Sequence, residues 1–483
     1  MLNRKEYEEN LARAREKQIE QISEYLAGYI KLNAKSRELP LVSNPDEDVL
    51  KSLENIPIPQ KGRDPKEIGD ELIEKVFEQS LMIQHPKFLS FVTSAVSPYS
   101  LAGSVLSDIY NVNACGYELS PGATIIEQKL ISWMGSRIGY DENCGGVFTS
   151  GGSLSNLTGC IAARDNMLKE EEYPIGTAYI SDQAHSSVRK GLHLMGLRRD
   201  QIRILPSDDN YKLPTDILEK EIEKDILSGK KPFLIVGSLG TTNTGSIDDF
   251  EALAKIRDKY GMWLHVDGAF GGSILFSDIY KNYAKGVEYS DSMSWDTHKW
   301  AMQVYSCSCI IAKDKKKLVK VFAEHPEYLA DIIDAEHTDG WDLGIEMSRP
   351  ARCIKLWFTV QAMGTDLLSD VIDYTFFLMN TAKHQLEKAE DVEFTSTPMC
   401  GTLTFRFIPK EIPKEMYDKF NREIAKTLTE RHCAYVVTTL LKGKRVLRLN
   451  IINPNTTDED VIDTIEKLKE IANELKNDFI CKD

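Results

Sequence analysis

The feature that most constrains this chain is an alternation between residues 86 and 315, where short apolar runs take turns with amphipathic stretches at helical spacing. Strand–helix–strand units bury both faces of a sheet, so such a pattern demands a mostly parallel sheet covered by helices. The spacing predicts strands over 146–149, 177–180, 202–205, 232–237, 263–266, 292–295 and 308–312. Helices are predicted over 154–168, 186–195, 214–227 and 249–260. On the N-terminal side, Ile19, Ile22, Tyr25, Leu26 and Ile30 recur at helical spacing and predict a helix over 5–33. A loop rich in Pro, Asn and Gly comes next over 39–63, and helical patterns resume over 67–83. Beyond 366 come a long helical stretch, strands over 402–407 and 446–451, and a helix over 458–475. The expected organisation is an α/β fold with three parts: a helical segment (1–85), a large α/β domain (86–365) and a small α+β domain (366–483).

In an open parallel sheet, ligands sit beyond the carboxyl ends of the strands. The residues just past each apolar run are therefore where chemistry is expected. After the first run comes Ser150-Gly151-Gly152-Ser153 and then a helix. Glycine lets backbone approach an anion, and a helix start offers free N–H groups, but a plain tight turn with a Ser cap reads the same way. After the second run comes His185, placed for ring stacking or acid–base work, or as a structural loop histidine. After the fourth lies a polar turn with Thr242. The fifth is followed by Asp267-Gly268-Ala269, a carboxylate that burial disfavours unless paired, with small neighbours that leave room for a flat ligand. The sixth is followed by Asp296-Thr297-His298-Lys299-Trp300. Taken singly each is weak. Together they supply an amine for an imine, a carboxylate for a pyridine nitrogen, a ring to stack and a phosphate cup, the inventory of pyridoxal 5'-phosphate.

Composition removes other classes. A net charge of −15 argues against nucleic acid as a general partner. The nine cysteines form no zinc-spaced CxxC pair and read as reduced, packed thiols, and no metal is expected. The first residues are charged and lack an apolar core, and no apolar run is long enough for a membrane helix. A soluble cytoplasmic protein is expected. No GxGxxG follows the first strand, which counts against a nicotinamide dehydrogenase.

With these motifs, and with His85-Pro86-Lys87-Phe88 and Ser348-Arg349-Pro350-Ala351-Arg352, the chain resembles the group II pyridoxal-phosphate decarboxylases over nearly its whole length. It is most similar to the bacterial aromatic amino acid decarboxylases, tryptophan decarboxylases among them. The resemblance implies a PLP-dependent transferase fold (fold type I). It implies Lys299 as the lysine that carries the cofactor, Asp267 under the pyridine nitrogen and His185 over the ring. It further implies Gly152 and Ser153 in the phosphate cup, Thr242 in the matching turn, Ala269 beside the ring, and His298 on phosphate or substrate. Tyr328 resembles the tyrosine of a mobile loop over about 322–340 and is the expected proton donor to Cα, so His185, Tyr328 and Lys299 are the expected catalytic residues. Phe91 and Ser94, with Cys115 and Tyr117, match the substrate-facing regions, where small residues at 114–116 either leave room for a large ring such as indole or only permit close packing. The sequence places no basic partner for a glutamate side chain in that pocket, so tryptophan or phenylalanine is favoured over glutamate. A homodimer sharing its active sites is expected. A carbon–carbon lyase of the sphingosine-phosphate type, or a scaffold that has lost activity, are the rival readings. One departure stands out: many relatives have Asn-Pro before His-Lys, where this chain has Asp296-Thr297. Gly-Gly-Ser likewise replaces Ser-Ala-Ser in the glycine turn.

Overall fold

The computed structural model describes residues 36–41, 46–324 and 338–480. Seven strands form the large sheet: β1 (Gly145–Thr149), β2 (Gly176–Ser181), β3 (Ile202–Leu205), β4 (Lys231–Ser238), β5 (Trp263–Asp267), β6 (Ser292–Asp296) and β7 (Ser308–Ala312). Their order is β1-β7-β6-β5-β4-β2-β3. Strands β2 to β6 pair in parallel, while β7 runs antiparallel to both β6 and β1. Every predicted strand of this region is present within a residue or two of its expected ends. The central strands are buried on both faces, which is why they read as continuous apolar runs rather than alternating ones.

Helices Gly152–Met167, Ser186–Leu194, Thr215–Leu227 and Phe250–Tyr260 connect the strands as the spacing predicts. Two more, Pro98–Tyr110 and Pro121–Ile138, precede β1 and pack on the long helical run Cys353–Glu387. That run is interrupted at Gly364 (φ 76°, ψ 169°), a left-handed φ that favours glycine. The C-terminal part is a four-stranded antiparallel sheet, β8 (Val392–Phe394), β9 (Thr402–Phe407), β10 (Val437–Leu441) and β11 (Lys444–Asn450), in the order β10-β11-β9-β8. Helices Tyr417–Glu430 and Asp458–Phe479 pack together beside it. Strands β8 and β10 and the first of these helices lie beyond what the sequence pattern resolved. The helix expected over 67–83 is shorter: Pro65–Leu72 is helical, and a widened turn carries it only to Phe77. The helix expected over 5–33 lies outside the described residues.

Residues 87–94 follow the C-terminal body rather than the large sheet. Leu89 N donates to Tyr435 O, Tyr435 N to Lys87 O, and Asn450 N to Leu89 O. Phe88 stacks on Tyr435 at 5.0 Å between centroids. This strap carries Phe91 from the small body to the ends of the large-sheet strands.

Candidate active site

Because β2, β4, β5 and β6 are parallel, their carboxyl ends point the same way and their turns converge. They enclose a cavity of about 850 Å³ whose lining includes Gly152, Ser153, His185, Thr242, Ala269, His298 and Lys299. Asp267 ends β5 and is 7% exposed. Its Oδ1 accepts from Ala269 N at 3.2 Å, and the Ser294 hydroxyl lies 3.4 Å away. The Lys299 ammonium pairs with Asp296 at 2.8 Å. Burial alone would lower the Lys299 amine's pKa, but the Asp296 charge and hydrogen bond, with Asp267 adding to them, leave it above its ordinary value.

Behind Asp267 stands a network that sequence reasoning missed. His265, on the same face of β5 two residues earlier, is fully buried. Its Nδ1 meets Ser292 Oγ at 2.8 Å and its Nε2 meets Asn156 Oδ1 at 2.9 Å. Asn156 Oδ1 also accepts from Ser294 Oγ at 2.7 Å. Burial drives the His265 pKa down to about 4, only partly opposed by Asp267, so the ring is neutral at physiological pH. The period-two spacing to Asp267 was the available signal.

At the head of helix Gly152–Met167, the N–H groups of Leu154 and Ser155 bond to Gly151 O. Those of Gly152 and Ser153 have no partner among the described residues. A Cβ at Gly152 would lie 2.5 Å from Asp296 Oδ2, so only glycine fits there. His185 Nδ1 meets Ser187 Oγ at 2.7 Å and caps the helix it precedes, while the ring lines the cavity. His185 thus both caps a helix and faces the cavity. His298 Nδ1 contacts Cys307 O at 3.0 Å, and its ring lies 4.6 Å from Tyr305, which also lines the cavity.

The mouth is closed by Phe91, Val92 and Thr93 on the strap and by Val437, Thr438 and Thr439 on β10. Arg448 of β11 reaches into it. This residue is 6% exposed, and burial lowers its pKa, yet a guanidinium stays charged. Its one side-chain hydrogen bond within the described residues runs to Thr242 O at 2.9 Å, and its Nε has no partner. A basic group therefore does line this pocket, which corrects the sequence argument that none could be placed for an acidic side chain. The residue lies 149 positions beyond Lys299 on a strand of the other body, so no local spacing announces it.

Other expected site residues are placed elsewhere. Ser94 is buried and donates to Ile452 O at 3.0 Å, and neither Cys115 nor Tyr117 lines the cavity. Tyr117 N donates to Asp339 Oδ1 at 2.6 Å. A Cβ at Gly116 would sit 2.5 Å from the indole of Trp341. In this chain the room left by the small residues at 114–116 is filled by its own tryptophan, the close-packing alternative. Gly268 is likewise packed, with Met293 Cε 2.3 Å from where its Cβ would stand. Tyr328 and most of the loop expected over 322–340 lie outside the described residues. Among the described residues no cluster of His, Cys, Asp and Glu could hold a metal, and no helix is long and apolar enough to cross a membrane.

The donor set fits pyridoxal 5'-phosphate: two free N–H groups at a helix start for phosphate, an inward carboxylate, an imidazole and a small side chain for the ring, and a cavity-facing lysine. The model of the pyridoxal-dependent decarboxylase conserved domain matches residues 48–408. An aromatic-L-amino-acid decarboxylase of Bacillus atrophaeus is 33% identical over 92% of both chains. An L-2,4-diaminobutyrate decarboxylase of Acinetobacter baumannii is 28% identical over 84% of both. Among solved structures, Oryza sativa TDC with PLP and tryptamine superposes with a TM-score of 0.87 at 24% identity, covering 98% of this chain and 99% of that one. The fold is accordingly that of the PLP decarboxylases, and the chain belongs to the pyridoxal-dependent decarboxylase family, with pyridoxal 5'-phosphate as its cofactor.

Proposed function

We propose that this chain decarboxylates an aromatic L-amino acid, with tryptophan or phenylalanine favoured, to the arylalkylamine and CO2. The observation that carries the reading is the 33% identity, over 92% of both chains, to a protein named for aromatic substrates. The apolar rim of Phe91, Val92 and Val437 is consistent with it. When bound, the cofactor supplies an electron sink for the pair left behind by CO2. This chain's own residues do the rest. Asp267, held by Ala269 N and Ser294, presents a fixed anion to the pyridine nitrogen. His185 and Ala269, which line the same cavity, would hold the cofactor's ring. Arg448 receives a substrate carboxylate, for which its unfilled donors are suited. Tyr328 is the proposed proton donor to Cα.

Arg448 also favours a second reading. If it takes a side-chain acid rather than the α-carboxylate, the substrate is glutamate or a similar acidic amino acid. Scoring CO2 release from tryptophan, phenylalanine, tyrosine, glutamate and cysteine sulfinate separates the two. A preference for either acid overturns the aromatic assignment, and aldehyde release without CO2 would point to the carbon–carbon lyase.

The protein is further proposed to act as a cytoplasmic homodimer whose sites are shared. Helices Pro98–Tyr110 and Pro121–Ile138 leave Leu106, Ile109, Tyr110 and Ile125 exposed, apolar area that a partner would cover. Sedimentation of the purified chain at micromolar concentration as a monomer would reject this.

A further inference from the structure

Asp296 stands where a phosphate-binding amide would be expected from the family resemblance, and its carboxylate is 2% exposed. A second anion beside a cofactor phosphate would be repelled unless its oxygens are bonded and its charge is balanced. Both conditions hold. Oδ1 accepts from Ser308 Oγ at 2.5 Å, and Oδ2 takes the Lys299 ammonium at 2.8 Å. The bare face of Gly152 admits the carboxylate at the head of its helix, where a negative charge is favoured. Lys299 N in turn donates to Asp296 O at 3.2 Å, so the backbone holds the two side chains in register.

We propose that Asp296 is a positioning residue that holds the Lys299 ammonium whenever this lysine is not bonded to the cofactor. This rests on the reading that Lys299 carries the cofactor. An amide at 296 could still accept a hydrogen bond but would bring no charge. The consequence is that Lys299 is parked as a cation, its nitrogen lone pair unavailable until the proton leaves. Among the other groups facing the ammonium, Asp267 and Tyr305 favour the charged form and burial opposes it, while the His298 ring, 3.8 Å from Asp296 Oδ2, would repel it if protonated, though burial holds the His298 pKa below its ordinary value. Asp296 would thus balance the charge of the free lysine at the place where the cofactor would otherwise hold it.

The test uses the full-length protein freed of cofactor and labelled at pH 8 with formaldehyde and borohydride. The Lys299 peptide is quantified by mass spectrometry against an exposed reference such as Lys220. Asp296→Asn should speed Lys299 labelling by at least ~10-fold, because each unit by which an amine's pKa falls gives about tenfold more free amine. An unchanged rate overturns the proposal. A second readout avoids reliance on one variant. Lys299→Met should lower the Tm by leaving a buried carboxylate unpaired, and adding Asp296→Asn in that background should restore it. A double variant no more stable than Lys299→Met overturns the proposal equally. Cofactor capture is scored apart, by the visible absorbance of the wild type and its loss in Lys299→Met, so a failure of the Lys299 assignment is distinguishable from a failure of the ion pair.

Discussion

The floor of the cavity and its mouth are held by opposite means. On the floor, Lys299 is paired with Asp296, Asp267 with Ala269 N and Ser294, and His265 with Asn156 and Ser292. At the mouth, Arg448 reaches only a backbone carbonyl, and Phe91 stands 44% exposed at φ 54°. A saturated network has one arrangement and resists change, whereas a buried donor without a partner gains from any ligand that supplies one. On the proposed reading, reaction type rests with parts that share one sheet, and substrate choice with parts drawn from both sheets. The division is sharp enough to be broken by experiment.

The largest effect should come from the floor. Lys299→Ala should abolish both the visible absorbance of the bound cofactor and turnover. Tyr328→Phe should keep the absorbance while amine output falls about 10²- to 10⁴-fold, the usual weight of a proton-transfer group. Spectra and amine yield of the two variants check this together. Equal amine output from Tyr328→Phe would remove it as the proton donor.

Arg448→Met probes the mouth. It should leave the cofactor spectrum intact and weaken kcat/KM by roughly 2–5 kcal/mol, as expected when a substrate carboxylate loses a desolvated partner. Measured across the amino acid panel, a uniform loss places the α-carboxylate on Arg448, while a loss confined to acidic substrates places the side chain there. A variant that no longer binds cofactor would erase the distinction between floor and mouth.

A smaller effect concerns stability against acid. His265 has a folded pKa of about 4, below the ordinary 6.5, so between those values the unfolded chain binds more protons. Its contribution is complete above pH 6.5 and is lost as pH falls toward 4, amounting to roughly 3 kcal/mol. Urea melts at pH 7 and pH 5 should show a wild-type decline that is shallower in His265→Asn. Parallel declines would mean that another group carries the acid sensitivity.

The same contrast governs what the sequence reveals. Asp267, His185 and Lys299 were legible because each lies just past or at the end of a short apolar strand, and a parallel sheet aims all such ends at one place. His265 was hidden inside one of those strands, where a neutral imidazole bonded to Asn156 and Ser292 reads as an interruption rather than a support. Arg448 and the 437–439 segment were hidden for another reason. They belong to an antiparallel sheet whose position over the cavity depends on the 87–94 strap and the Thr242 turn, contacts between residues hundreds apart. Asp296 was visible as a departure from the family, but its meaning depends on where two oxygens point.

Gly116 shows the limit most plainly, and supplies the last prediction. A run of small residues has one signature in sequence and two causes in space: a vacancy for substrate, or a neighbour that arrives from far along the chain. Here Trp341 arrives, with its ring 2.5 Å from where a Cβ would stand and Asp339 Oδ1 at 3.0 Å. The segment is further fixed by Trp341 N donating to Cys115 O at 3.2 Å. Gly116→Ala should therefore act by overpacking, lowering stability by about 1–3 kcal/mol. Since Gly116 does not line the cavity, the order of preference among aromatic substrates should stay as it is. The opposite result, unchanged stability with a shift from tryptophan toward smaller side chains, would mean that the segment faces substrate after all, most directly in a neighbouring copy's site, and would move part of the specificity away from the mouth formed by the strap and β10.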